Sequence, residues 1–269
     1  MPTDLALSVW PTAQQPARAQ RAGRYVELSG THPARMLPAI ARRVIATYTA
    51  PGDLVVDPMC GIGTTLVEAV HLGRDAIGVE YEQPWADLAR GNLAHARSHG
   101  ATGEGEVICG DGRCVAGLVD PAVRGLVALV LTSPPYGPSL HGQVKAVPGG
   151  GVRKSHDRYS TDPANLAHVG LAGLLDAMRV MLTGVAILLR PGGMVVMTVR
   201  PWWRNGRLID LPGMVCPGRR GRRARPLRAQ RRPPLRTARR PARPPGVVLR
   251  PRTGPQSPRP RRPPARHRP

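Results

Sequence analysis

No aspartate or glutamate follows Asp210 in this 269-residue chain, while nineteen of its 39 lysines and arginines are arginines between Arg219 and Arg268. The formal net charge of +22 is therefore a property of one end: the other 20 basic residues face 17 acids, and the body of the protein is nearly neutral. Cysteine is scarce as well. Cys60, Cys109, Cys114 and Cys216 form no Cys-x-x-Cys pair and no zinc-like grouping with histidine, which argues against a disulfide framework or a metal site. They read as small, reduced residues of a cytoplasmic protein. The first residues, Met-Pro-Thr-Asp-Leu, lack the charged start and apolar core of a signal peptide, and no apolar run approaches the ~18 residues needed to span a bilayer. A cytoplasmic location with no membrane partner is expected. Oligomeric state is not legible.

What is present is a pattern of short apolar runs separated by helical periods. Residues 1–30 are weakly patterned, with a basic patch (Arg18, Arg21, Arg24) and a short candidate strand at Tyr25 to Leu28, and read as a loose arm. Met36 to Tyr48 carries apolar residues at helical spacing, and Pro51-Gly52 stops it. Asp53 to Asp57 is a buried strand running into Pro58-Met-Cys-Gly61-Ile-Gly63-Thr64-Thr65. Glycines after a strand let backbone approach a ligand, and Thr64 or Thr65 can cap the next helix. Asp75 to Glu80 is a second strand with an acid at its carboxyl end, about 20 residues beyond the glycine loop, the separation at which a dinucleotide-type fold sets a carboxylate on ribose.

A helix over Trp85 to His99 leads to a third strand, Glu106 to Gly110, ending at Asp111. The fourth, Leu126 to Leu131, ends in Thr-Ser133-Pro134-Pro135-Tyr136-Gly; two prolines cannot continue a strand, so the chain turns out at the edge where open α/β sheets bind ligands. A Gly- and Ser-rich loop, Pro138 to Pro163, holds Arg153, Lys154, His156 and Arg158. Asn165 to Leu189 reads as a long helix, Arg190-Pro-Gly-Gly as its stop, and Met194 to Val199 as a fifth strand. The alternation predicts an α/β, doubly wound, Rossmann-like sheet over residues 31–212.

These motifs resemble the S-adenosylmethionine-dependent amino-methyltransferases of nucleic acids. His32-Pro33-Ala34-Arg35-Met36-Leu37-Pro38 is similar to that family's His-Pro segment, Asp57 to Thr65 to its Asp-Pro-Phe-x-Gly-x-Gly-Thr-Thr cofactor loop, Glu80 to its ribose acid, and Ser133 to Tyr136 to its Ser/Asn/Asp-Pro-Pro-Tyr catalytic turn. Leu189 to Gly193 resembles the turn before the fifth strand of class I methyltransferases. The resemblance implies S-adenosyl-L-methionine as cofactor, held by His32, Asp57, Pro58, Gly61, Gly63, Thr64, Glu80 and Asp111, and catalysis by Ser133, Pro134, Pro135 and Tyr136 without a metal. Asp111 could equally contact the adenine or only turn the chain between Gly110 and Gly112. The implied reaction methylates an exocyclic amine, with DNA cytosine N4 or adenine N6 preferred and RNA guanine N2 as the alternative. Such an amine is a poor nucleophile. Ser133 and a carbonyl of the proline turn can accept its protons, and Tyr136 can support a base taken out of its stack.

A class I sheet normally has two further strands, yet little chain remains after the fifth before residues 213–269 turn to arginine and proline. That tail is expected to be disordered, either as an out-of-frame product whose missing strands lie in another reading frame, or as a basic arm on nucleic-acid phosphates. The first case would leave a methyltransferase-like chain too incomplete to catalyse.

Overall fold

Valine-rich runs too short for helices form the centre of the structure, a computed structural model that describes residues 10–12, 14–135, 143–146, 152–155, 162–204 and 206–215. All of them fall in one unit, Met1–Arg231; the second unit, Arg232–Pro269, lies outside the described residues, as does the tail from residue 216. The strands β1 (Leu54–Asp57), β2 (Asp75–Glu80), β3 (Gly105–Cys109), β4 (Val127–Thr132) and β7 (Leu189–Met197) form a five-stranded sheet in the order β3-β2-β1-β4-β7. Every pairing in it is parallel. The order reverses between β1 and β4, so their carboxyl ends flank the crevice where such sheets bind ligands.

Helices cover both faces. Val55, Leu129 and Leu131 pack toward α2 (Pro38–Tyr48), α3 (Thr64–His71) and α4 (Gln83–Ser98), while Val56, Val127 and Val130 pack toward α5 (Val115–Leu118) and α6 (Leu171–Leu188). The core is mostly aliphatic, with Tyr25 the one aromatic among the buried residues of its packed layers, in a chain with no phenylalanine. Small residues bring helices close: α4 presents Ala86, Ala89 and Ala96, and a Cβ on Gly63 would stand 3.2 Å from that of Ala89.

Several expectations are corrected. The N-terminal segment is not a loose arm from Arg21 onward. After α1 (Ala17–Arg21) it forms a 3-10 turn over Glu27–Thr31 in place of the expected strand. Its polar groups are bonded to the body: Arg24 and the Tyr25 hydroxyl donate to Glu68 on α3, and Val26 N–H and Ser29 Oγ donate to Asn92 on α4. Residues 138–163 are not wholly loop, because β5 (Gln143–Ala146) and β6 (Val152–Ser155) pair as an antiparallel hairpin. Helix α6 starts at Leu171, after turns over Asn165 to Val169. By length and composition it could cross a membrane, with mean hydropathy 1.8 over its 18 residues; Asp176 and Arg179 interrupt the apolar run in the sequence. Here Leu174, Ala177, Met178, Met181, Val185 and Leu188 form its buried stripe.

Strand β7 begins at Leu189, five residues earlier than the Met194 expected. Leu189 pairs with Val127, and a bulge absorbs the Arg-Pro-Gly-Gly stretch. Among the described residues β7 is the sheet edge; β8 (Trp202–Arg204) and β9 (Arg207–Ile209) pair with each other, and α7 (Leu211–Val215) follows.

Glu68 is fully buried and accepts from Arg24, Arg42 and Tyr25 at 2.8–3.1 Å. Burial, and then the Glu68 charge, push the Tyr25 hydroxyl well above its ordinary pKa. Glu68→Ala would strand these donors, which costs about 3 kcal/mol when a buried pair is broken. A fall in Tm of about 10 °C is expected by thermal melt; an unchanged Tm would show that the segment is not fastened there.

Candidate active site

Four adjacent parallel strands deliver Asp57, Glu80, Asp111 and Ser133 to one rim of the sheet. Between β1 and α3 the chain makes two left-handed turns, at Gly61 (φ 55°) and Gly63 (φ 78°), where a side chain would be strained. Three bonds shape this loop: Cys60 N–H to the Val79 carbonyl (2.9 Å), Gly63 N–H to the Cys60 carbonyl (2.8 Å), and Gly61 N–H to Glu80 Oε2 (2.8 Å). Asn92, fully buried, donates to the Ile62 carbonyl at 2.8 Å. The loop is thus held from β2, from α4 and from within.

The threonines do a different task from the one expected. Gly63 is the N-cap of α3 and no side chain caps it. Thr65 instead donates to Asp57 Oδ2 at 2.6 Å, while Met59 N–H reaches Oδ1 at 3.1 Å. Burial pushes the Asp57 carboxyl up to about 6, against the pull of the Thr65 hydroxyl. Thr64 is buried as the first residue of α3.

Glu80 is almost fully buried, its Oε1 accepting from Glu82 N–H at 2.9 Å and its Oε2 from Gly61. Burial raises its carboxyl to about 7, opposed by those two N–H groups. Each oxygen keeps a free acceptor direction. Asp111 turns the chain: Oδ1 accepts from Arg113 N–H at 2.8 Å, capping the 3-10 turn Gly112–Cys114, and the Arg113 guanidinium pairs with the same carboxylate. Burial works to raise this carboxyl, but the Arg113 bonds outweigh it and hold it below the usual range.

A shallow cleft open to solvent lies along this rim, with Pro58, Glu80, Asp111 and Pro135 among its walls. It brings the start of the β1–α3 loop (Pro58, Met59), the β2 acid and Pro135 to one space; Gly61, Gly63 and Ser133 are not in its wall. Pro134 is buried and Ser133 half-buried beside it. His32 is buried behind the loop, not in the cleft wall. Its ring meets Trp85 edge-on at 4.6 Å, and a Cβ on Gly61 would lie 3.3 Å from its Nε2. Tyr136, His156 and Arg158 lie outside the described residues, and of Arg153 and Lys154 only the backbone is described. Tyr81, Asn165 and Met181 also line the cleft, and no motif announced them. For Tyr81 the signal was its place next to the β2 acid.

The model of a DNA methylase family matches residues 4–90. Over 65 residues the chain is 38% identical to the type II methyltransferase M2.DpnII of Streptococcus pneumoniae, and over 72 residues 35% identical to M2.LlaDCHI of Lactococcus lactis subsp. cremoris. These stretches cover 24% and 27% of this chain, and the same shares of the two relatives' own length. Among solved structures, TrmN from Thermus thermophilus is similar with a TM-score of 0.43 and 21% identity, over 66% of this chain and 41% of that one. The matched segment holds His32, the glycine loop and Glu80, so the family resemblance read from the motifs is borne out there.

Proposed function

We propose that the chain transfers a methyl group from S-adenosylmethionine to an exocyclic amine of DNA, at cytosine N4 or adenine N6. One observation carries this reading: the proline turn after β4 and the Glu80 acid open into the same cleft, with Pro135 and Glu80 both in its wall. The residues suit the cofactor. Gly61 and Gly63 let the loop take its two left-handed turns, close against His32 and Ala89, and the spare acceptor directions of Glu80 match vicinal ribose hydroxyls. When bound, S-adenosylmethionine supplies an electrophilic methyl on sulfur, and the amine's nitrogen–carbon bond forms as the carbon–sulfur bond breaks. Ser133 Oγ accepts one amine N–H, and a carbonyl of the proline turn accepts the other. The lone pair then localises on nitrogen as it attacks, while the rings of Pro134 and Pro135 keep that carbonyl in place. Asp57, locked by Thr65, holds the start of the loop. The match to a DNA methylase family and to two type II methyltransferases supports DNA as partner, and a cytoplasmic location is proposed with it.

The test is direct: incubate the chain with labelled S-adenosylmethionine and duplex DNA or total RNA, digest, and identify the methylated nucleoside. N4-methylcytosine or N6-methyladenine in DNA is expected. Label confined to RNA guanine would overturn the DNA assignment. Cofactor binding without transfer to either would favour the second reading, an inactive methyltransferase-like chain, which the place of β7 at the sheet edge among the described residues supports.

Glu80 makes the affinity depend on pH. Ribose hydroxyls need its carboxylate form, and its pKa of about 7 leaves much of it protonated in acid. Binding of 5′-methylthioadenosine, which has no amino-acid end to titrate, is expected to be about tenfold weaker near pH 6 than near pH 8 by calorimetry. The empty fold runs the other way. A raised carboxyl pKa favours the protonated form, so Glu80's contribution to stability is complete below 4.5 and lost as pH rises through about 7. A pH-independent affinity would remove Glu80 from the site.

A further inference from the structure

The strand ends make up one side of the cleft, and the other side includes a turn from far along the chain. Ala164, Asn165 and Leu166 stand in its wall just before α6. The turn is built locally: Asp162 Oδ1 accepts from Ala164 N–H (2.8 Å), the Asp162 carbonyl from Asn165 N–H (3.1 Å), and Asn165 Oδ1 from Ala167 N–H (2.8 Å). Two further bonds leave it and reach the residues immediately after Glu80. The Tyr81 hydroxyl donates to Asp162 Oδ2 at 2.7 Å, and Asn165 Nδ2 donates to Glu82 Oε1 at 2.8 Å.

These two bonds tie segments 81 and 83 residues apart. Neither the turn nor the β2–α4 junction needs them for its own backbone. Glu82 is the residue before α4, and its side chain caps nothing there; it is turned toward Asn165 instead. Asn165 is 95% buried, so its amide must have partners, and its oxygen and nitrogen serve the two sides separately. Tyr81 gives both its ring to the cleft wall and its hydroxyl to the turn. Since Glu82 N–H also bonds Glu80 Oε1, the acid, the wall and the turn are connected through consecutive residues.

We propose that Tyr81, Asp162 and Asn165 are positioning residues that fasten the 162–166 turn across the adenosyl end of the cofactor cleft. The proposal rests on the cofactor reading above. Glu80 marks the ribose position, and the flat or apolar groups beside it, Tyr81, Pro135, Leu166 and Met181, mark where the base would lie. A turn fastened there holds its wall against a bound cofactor; such contacts form after encounter and are lost on release, so loosening the turn raises the dissociation rate more than it lowers the association rate. Tyr81 and Asn165 thereby set residence time rather than chemistry.

The experiment measures S-adenosylhomocysteine release and capture by stopped flow on the full chain, beside thermal melts. Tyr81→Phe keeps the ring and removes only the hydroxyl; Asn165→Ala removes the second fastening. Each is expected to raise the dissociation rate about fivefold, the effect of one hydrogen bond, with the association rate changed less than about twofold; Tm should hold within about 2 °C in Tyr81→Phe and fall further in Asn165→Ala, which also frees Ala167 N–H. Tyr81→Phe added to Asp162→Ala should accelerate release no further than Asp162→Ala alone, because the two share one bond. Wild-type release rates in both Tyr81→Phe and Asn165→Ala would overturn the proposal while leaving the cofactor reading intact. An equal loss in both rates together with a lower Tm would also overturn it, showing a general loosening of the fold. A wild-type chain that captures no S-adenosylhomocysteine would instead overturn the cofactor reading and this proposal with it.

Discussion

Gly61→Val is expected to weaken S-adenosylmethionine binding by about 100-fold or more, with a fall in Tm of only about 4–8 °C. Gly61 has φ 55°, a conformation in which a β-branched residue carries about 1–3 kcal/mol of strain. Its Cβ would also lie 3.3 Å from His32 Nε2 and 3.5 Å from His32 Cε1, and His32 is buried against Trp85 with little room to move. The loop must therefore shift, and with it the Gly61 N–H that bonds Glu80. Displacing that bond disturbs the glycine approach and the ribose acid together, so the loss in affinity exceeds what strain alone would cause. The sheet should survive, because β1, β2 and β4 pair on either side without this residue. Calorimetric titration with S-adenosylhomocysteine and a far-ultraviolet melt separate the two effects. Near-normal affinity would remove the loop from the cofactor site.

Ser133→Ala is expected to lower kcat by about 100-fold while leaving KM for the cofactor within about twofold. An acceptor aimed at a group that gains positive charge in the transition state is worth roughly that factor. The residue lies on the turn after β4 and is half-buried, so deleting one oxygen leaves no cavity of consequence and Tm should hold. Ser133→Asn, which keeps an acceptor oxygen at a longer reach, should recover part of the rate. Single-turnover transfer to DNA measures both variants. An alanine variant as fast as the parent would refute the role given to Ser133, whatever the substrate proves to be.

The rim of the site was legible because each of its parts is local. Val55-Val56-Asp57, Val79-Glu80 and Leu131-Thr132 are strand ends, marked by β-branched runs closed by glycine, acid or proline, and such punctuation depends on neighbours in the chain. Parallel pairing then places all those ends on one side, so Asp57, Glu80, Asp111 and Ser133 had to converge.

Other features depended on partners distant in sequence. Nothing near Glu68 or Asn92 shows that they receive Tyr25 and Ser29 from 43 and 63 residues away, and so the N-terminal segment read as loose. Thr65 looked like a helix cap until folding put Asp57 within its reach. The Tyr81–Asp162 bond spans 81 residues, and Asn165, read as the start of a helix, is part of a turn facing the cleft. The raised carboxyls of Asp57 and Glu80 were equally hidden, since they come from burial by elements on every side. Local steric and hydrogen-bonding preferences write the strands, loops and turns into the sequence. Desolvation and side-chain pairing exist only once the layers have packed, and they decide how the acids titrate and what holds the cleft's far wall.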